Sequence, residues 1–167
     1  EVIFTADARK QRGLDWWPDG NIWLVPPGQG RYHFYAANST KPLRTTGTFD
    51  MPAERTDQVV IESTQPQPNY LAGGPVYRDP ATNTLLLVYH AEVHRGSGKN
   101  FYSLLGLASA LDEQGLRFKD LGPIIRTELD EPQAKGVVEV GGGPMIPVGD
   151  YFHIYFRDKP IDGPTIH

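Results

Sequence analysis

The stretch that decides the fold begins with YLAGGPVY at residues 70–77, which is followed by the turn RDPATNT and by LLLVYHAE at 85–92. Both segments consist mostly of apolar and aromatic residues, and the turn between them is rich in Asp, Pro and Asn. SLLGLASA at 103–110 and RFKDLGPII at 117–125 make a second pair of this kind. Two successive hairpins predict one four-stranded antiparallel unit.

The LLLVY segment at 85–89 is apolar at every position, so both faces of this strand are predicted to be buried. A strand buried on both faces needs a packed neighbour on each side. The unit is therefore predicted to lie between sister sheets.

The chain repeats the inner hairpin of this unit. Three segments align on a shared tyrosine, and these are residues 31–38 with Tyr35, 85–92 with Tyr89, and 151–158 with Tyr155. Each is preceded by a partner strand that starts with glycine, at 20–25, 73–77 and 142–146. Internal repeats of four-stranded units are typical of a β-propeller.

The predicted fold is all-β, a single domain over 1–167 with about two and a half four-stranded blades. Its parts are a lead-in strand within 1–14, a blade at 15–65, a blade at 69–127 and a partial blade at 137–167. Segments 43–49 and 58–62 are predicted to be the outer strands of the first blade. A β-sandwich is the alternative, because short strands with frequent turns also suit that fold.

Composition excludes several classes of function. The chain has 167 residues, no cysteine and a net charge of -4, without a Lys/Arg cluster. It therefore lacks the basic surface that nucleic-acid binding requires, and no apolar run is long enough for a membrane-spanning helix. Nothing in the sequence predicts a cofactor, and the absence of cysteine leaves the compartment open.

The run LLGLASALDEQGLRFKDLGPII at 104–125 resembles the outer hairpin of five-bladed propeller glycoside hydrolases, the arabinanase, β-xylosidase and fructosidase group. The Gly-Gly-Pro strands with tyrosine-containing mates, at 73–92 and 142–158, are similar to the inner hairpins of that group. The resemblance covers most of the chain from Asp15 onward. It implies a central pocket that acts on or binds an oligosaccharide.

Glycoside hydrolysis uses two carboxyl groups, one as the acid and one as the base or nucleophile. The resemblance implies Asp15 or Asp19 as the base, with Asp15 preferred because Asp19-Gly20 also suits a turn, and Glu139 as the acid. The chain departs from the family pattern where Asn69 and Tyr70 replace an expected Asp, and where Gly142 rather than Glu precedes Gly143-Pro144.

Ends of inner strands converge at one end of a propeller channel, and the polar and aromatic residues at those ends are candidate sugar contacts. They are Trp16, Trp17, Asp19, Asn69, Tyr70, His90, Glu92, His94, Arg157 and Asp158. Trp16 and Trp17 could stack on sugars, although at least one of them suits the core better. His90, Glu92 and His94 alternate along a strand, and such a face could also bind zinc. No metal is predicted as the main interpretation.

Three classes of function remain. The first is a glycosidase that uses Asp15 and Glu139, and the second is a non-catalytic sugar-binding module. The third is an inactive partial propeller that acts through association. Two and a half blades leave a face and strand edges uncovered, which predicts a homodimer or a fragment of a longer chain.

Overall fold

The computed structural model describes residues 4–63, 70–94, 101–126, 137–142, 144–159 and 165–166. These residues form an all-β structure of three sheets with one short helix, so the predicted fold class is confirmed. Within the described residues, no helix has the length and apolar character that crossing a membrane requires.

The first sheet is a four-stranded antiparallel meander that follows a short helix, α1 (Ala6–Lys10). Its strands, in both chain order and sheet order, are β1 (Asp19–Gly28), β2 (Arg31–Asn38), β3 (Lys41–Gly47) and β4 (Arg55–Gln58). Of the lead-in strand predicted within 1–14, residues 1–3 lie outside the described part, and residues 6–10 form α1. Thr5 caps the helix there, and its Oγ1 accepts a hydrogen bond from the Ala8 N–H at 3.3 Å.

The second sheet is built around three long neighbouring strands. Its strands are β5 (Val60–Glu62), β6 (Tyr70–Ala72), β7 (Val76–Arg78), β8 (Leu85–His94), β9 (Phe101–Ala110) and β10 (Arg117–Arg126). The long strands are β8, β9 and β10. Antiparallel pairing of β7 with β8 and of β9 with β10 confirms the two predicted hairpins, and β8 pairs with β9 to join them. Both β6 and β7 pair with β8, so the first predicted strand of this unit is interrupted between Ala72 and Val76.

The sequence predicted that segment 58–62 forms one outer strand of the first sheet. It does not. Gln58 ends β4, and β5 pairs in parallel with β10 of the second sheet. The crossing occurs at Val59, whose side chain is buried between the two sheets. The chain therefore passes from the first sheet to the second at a residue whose side chain is buried in the core.

The last part of the chain is divided between two sheets. It contains β11 (Val137–Gly141), β12 (Met145–Val148), β13 (Tyr151–Ile154), β14 (Arg157–Lys159) and β15 (Thr165–Ile166). The β12–β13 hairpin forms a separate two-stranded sheet, whereas β11, β14 and β15 extend the second sheet beside β9. Because β13 ends at Ile154, Tyr155 lies outside it and is half exposed, unlike the buried Tyr35 and Tyr89 with which it was aligned.

Strand β8 is buried on both faces, as its sequence predicts. On one face, Leu87 and Tyr89 pack in a core cluster with Tyr35 of the first sheet. On the other face, Val88 packs with Val140 and Met145 of the last part of the chain. The second sheet therefore lies between two neighbours, an arrangement that fits both an incomplete propeller and a β-sandwich.

Polar contacts also hold the first two sheets together at the turn before β10. The Tyr35 hydroxyl donates a hydrogen bond of 3.0 Å to the carbonyl of Gly115. The buried guanidinium of Arg44 donates to the carbonyl of Gln114 and pairs with Asp57 at 2.8 Å. These contacts fix the orientation of the sheets on which the site depends.

Candidate functional site

A cavity of about 380 Å³ lies where the first sheet, the second sheet and the last part of the chain meet. Its wall contains glycines from all three regions, together with a few polar side chains. The lining residues are Gly20, Asn21, Ala72, Gly73, Gly74, Pro75, Val88, Tyr89, His90, Leu105, Gly141, Gly142 and Arg157. Asn21 Nδ2 donates a hydrogen bond of 3.0 Å to the carbonyl of Gly142, which joins the first strand to the last part of the chain across the cavity rim.

The Gly-Gly-Pro motif lets the backbone approach β8 and the first sheet closely. A Cβ atom on Gly74 would lie 2.4 Å from the carbonyl oxygen of Val88, which is too close for any side chain. On Gly73 it would lie 3.3 Å from the carbonyl oxygen of Ala36. Here the glycines are needed because backbone passes against backbone.

Gly142 is in a different situation. A Cβ atom on this residue would lie 3.7 Å from both His90 Cβ and Leu105 Cδ2, which is ordinary van der Waals contact. Its backbone does not require glycine at this position, so the missing side chain leaves part of the cavity open.

Tyr70 and Asp19 form a hydrogen-bonded pair beside the cavity. The Tyr70 hydroxyl donates to Asp19 Oδ2 at 2.9 Å, and Asp19 directly precedes the lining residue Gly20. Burial raises the pKa of the Tyr70 phenol, and the hydrogen bond and charge of Asp19 raise it further. The phenol is therefore a neutral donor at physiological pH.

Two histidines lie next to Tyr70. The ring centroids of His90 and His94 are each 6.4 Å from that of Tyr70. His94 Nε2 is 2.5 Å from Glu92 Oε2, and its ring stacks on Phe101 at 4.8 Å. These contacts hold the His94 ring in one orientation next to the Tyr70 ring.

The zinc alternative for His90, Glu92 and His94 is not supported. Among the residues that the structure describes, no three His, Cys, Asp or Glu side chains are placed to hold a metal ion. The Glu92 carboxylate contacts the His94 ring instead.

The residues predicted near the start of the first blade are placed differently from one another. Asp15 and Trp16 are exposed and are not part of the cavity wall, although the Trp16 N–H donates to Asn38 Oδ1 at 2.9 Å. Trp17 is only 3% exposed and packs with Leu14 and Phe34. Trp17 therefore has the core position that the sequence analysis favoured for at least one of the two tryptophans.

The structure brings Asp19, Tyr70, His90 and Arg157 from three regions to the cavity or its border. The backbone of Arg157 pairs with that of Gly141, which places both in the cavity wall. Asn69 and the side chains of Glu139 and Asp158 lie outside the described residues. The predicted roles of these three residues stay predictions.

Sequence reasoning missed Asn21 and Gly142 as residues of the site. The signal for Gly142 was present in the glycine run before Pro144, since such runs mark close approach or open space. Asn21 carried no comparable signal, because its role depends on a carbonyl 121 positions further along the chain.

Comparison with known proteins finds no family model that matches this chain, and no curated protein matches it. Among solved structures, it is similar to a protein of Bifidobacterium bifidum s17 described as a "putative exo-beta-1,3-galactanase", with a TM-score of 0.53 and 17% sequence identity. The likeness covers 85% of this chain and 46% of that protein, so the chain spans about half of its length. At this identity the likeness shows a shared fold alone.

Proposed function

We propose that this chain binds an oligosaccharide in the cavity between its sheets without cleaving it. The observation that carries the proposal is the cavity wall, which combines open glycine backbone with the polar side chains Asn21, His90 and Arg157. Backbone groups and a few fixed polar side chains are what sugar hydroxyls require as partners.

Binding is favoured over hydrolysis because of where the carboxylates lie. No Asp or Glu is present in the described part of the cavity wall. Asp15 is exposed outside that wall, and Asp19 is engaged with the Tyr70 hydroxyl. A glycosidase needs two carboxyl groups that flank the scissile bond.

The glycoside hydrolase resemblance and the fold shared with the Bifidobacterium protein support a carbohydrate as the ligand. We infer that the stacked sheets are part of a five-bladed propeller, in which such a cavity would lie near the central channel. Arabinan, xylan, fructan and β-1,3-galactan oligosaccharides are the classes to test first, since those relatives act on or are named for them.

Trp16 is the candidate stacking platform outside the cavity. Its side chain is 67% exposed, and its backbone is held by Asn38. An exposed aromatic ring suits the apolar face of a sugar. Trp16→Ala should weaken oligosaccharide binding, whereas Leu121→Ala, at another exposed apolar residue, should leave it unchanged.

Isothermal titration calorimetry with the four oligosaccharide classes tests the proposal. Saturable heat with at least one class is expected, with no reducing sugar released on prolonged incubation. Absence of binding to all four classes would contradict the carbohydrate assignment.

Glycoside hydrolysis is the second candidate, and Asp19 is the observation that favours it. Its carboxylate borders the cavity and is held by Tyr70, as a positioned base would be. Aryl glycosides should be tested with the wild type, Asp15→Asn, Asp19→Asn and Glu139→Gln. Hydrolysis that is lost in Asp19→Asn or Glu139→Gln would establish catalysis and overturn the binding-only proposal.

A further inference from the structure

The β12–β13 hairpin carries an unusually apolar outer surface. Ile146, Val148 and Tyr151 are 42%, 51% and 75% exposed, and Phe152 and Tyr155 are also exposed. The hairpin forms a two-stranded sheet of its own, and no other described strand pairs with it. Two strands with exposed apolar residues favour association with another strand.

The pairing register shows which edge of the hairpin is open. Gly149 and Asp150 form a two-residue turn, so Val148 and Tyr151 are a hydrogen-bonded pair. From this pair onward, non-hydrogen-bonded and hydrogen-bonded pairs alternate along the hairpin. The Tyr155 N–H, which donates to the Pro144 carbonyl at 3.1 Å, fits this alternation.

Two pairs in the hairpin therefore turn their backbone groups outward. They are Pro147 with Phe152, and Met145 with Ile154. On β12 the outward position 147 is proline, which has no N–H to donate, and proline protects strand edges from pairing. On β13 both outward positions, Phe152 and Ile154, keep their N–H and carbonyl groups. Of the two edges, β13 is the one able to receive a further strand.

The charge of this surface selects the kind of partner. Between residues 144 and 156, Asp150 and His153 are the only Asp, Glu, Lys, Arg or His side chains, in a chain of net charge -4. Two copies of an acidic chain repel one another less across a nearly neutral face than elsewhere. A strongly charged partner would find no complementary groups on this hairpin.

We propose that β13 pairs antiparallel with β13 of a second copy of this chain. With a two-fold axis at His153, Phe152 of each copy bonds Ile154 of the other through backbone groups. The result is a four-stranded sheet, β12–β13 continued by β13 and β12 of the second copy. This sheet has the same number of strands as the first sheet. Both copies contribute the same strand edge to the interface, as a two-fold axis requires.

The pairing is tested on the 167-residue chain, which contains no cysteine. Light scattering after size exclusion should give the mass of a dimer at about 100 µM chain, a concentration that detects micromolar association. His153→Cys should form a disulfide-linked dimer on mild oxidation, because a residue and its symmetry mate at a non-hydrogen-bonded site have Cα atoms about 4.5 Å apart. Leu121→Cys, at an exposed site on β10, is the matched control and should remain unlinked.

A monomer at that concentration overturns the proposal. So does cross-linking of Leu121→Cys to the same extent as His153→Cys, since this would report random collision. Tyr151→Lys provides an independent variant, because a lysine on each β13 strand adds repulsion at the edge. Its dimer dissociation constant should rise at least tenfold, and an unchanged value also contradicts the pairing.

Discussion

The Tyr70 hydroxyl donates a hydrogen bond of 2.9 Å to Oδ2 of Asp19, and this contact joins the first strand of one sheet to an edge segment of the next. Tyr70 lies on β6, which pairs with β8 beside the cavity, and Asp19 begins β1. The pair therefore fixes the distance between the two sheets at the border of the site.

Tyr70→Phe removes this contact and leaves the ring in place. We expect a loss of about 1 kcal/mol in the free energy of unfolding, since the bond is to a charged acceptor but is partly accessible to water. Urea denaturation measures the change, with Tyr155→Phe as the matched control at a half-exposed tyrosine. Equal stability of the two variants would show that the pair does not hold the sheets.

Alkaline pH should destabilise the protein through Tyr70 and Tyr89. Burial, followed by hydrogen bonds and charges from Asp19 and Asp120, raises the pKa of Tyr70 and Tyr89 above the ordinary value of 10.0. A raised folded-state pKa gives stability that is present below pH 10 and lost as the pH rises beyond it. Denaturation midpoints from pH 8 to 11 should fall, and less steeply in Tyr70→Phe and Tyr89→Phe. Identical slopes in all three proteins would contradict the assignment.

The ring of Tyr89 covers Gly106 on the adjacent strand. A Cβ atom on Gly106 would lie 2.1 Å from Tyr89 Cζ, and the Tyr89 hydroxyl is fixed by Asp120 at 2.7 Å. Gly106→Ala should therefore cost about 2 kcal/mol or more, as overpacked cores do. Gly142→Ala is the control, because its new methyl group makes only ordinary contacts. Thermal unfolding that ranks the two variants equally would refute this packing.

His33 should make stability depend on pH in mildly acidic solution. Burial, followed by the charge of Arg44, lowers its pKa from 6.5 to about 4, and its Nδ1 lies 2.9 Å from Thr46 Oγ1. A lowered folded-state pKa gives stability that is full above pH 6.5 and is lost as the pH falls towards 4. His33→Gln should show a shallower decline in urea midpoints over this range. An unchanged decline in His33→Gln would contradict the assignment.

Much of the fold could be predicted from local pattern. The run at 85–89, which is apolar on both faces of the strand, indicated a strand between two sheets. Leu87 does pack toward the first sheet, and Val88 packs toward the last part of the chain. The hairpin partners followed from turn chemistry. The strand at 58–62 was misassigned because periodicity does not reveal that a chain crosses between sheets at a single buried residue, Val59.

The site was less predictable, for a different physical reason. The expected convergence of strand ends named a larger set of candidates, of which His90 and Arg157 line the cavity and Asp19 and Tyr70 lie at its border. Their roles in the site stay predictions. Whether a tryptophan lies in the core or on the surface depends on tertiary packing, which separates Trp17 from Trp16 although they are adjacent. The contact of Asn21 with Gly142 depends on how distant segments meet, and no local pattern encodes it.

Calorimetric titration of the wild type and Gly142→Leu with the best-binding oligosaccharide tests the central claim most directly. The added side chain points from an unstrained backbone position into the cavity, so binding should weaken at least tenfold while the thermal midpoint stays close to that of Gly142→Ala. Unchanged affinity in a folded Gly142→Leu protein would show that the sugar binds elsewhere and would contradict the proposed site.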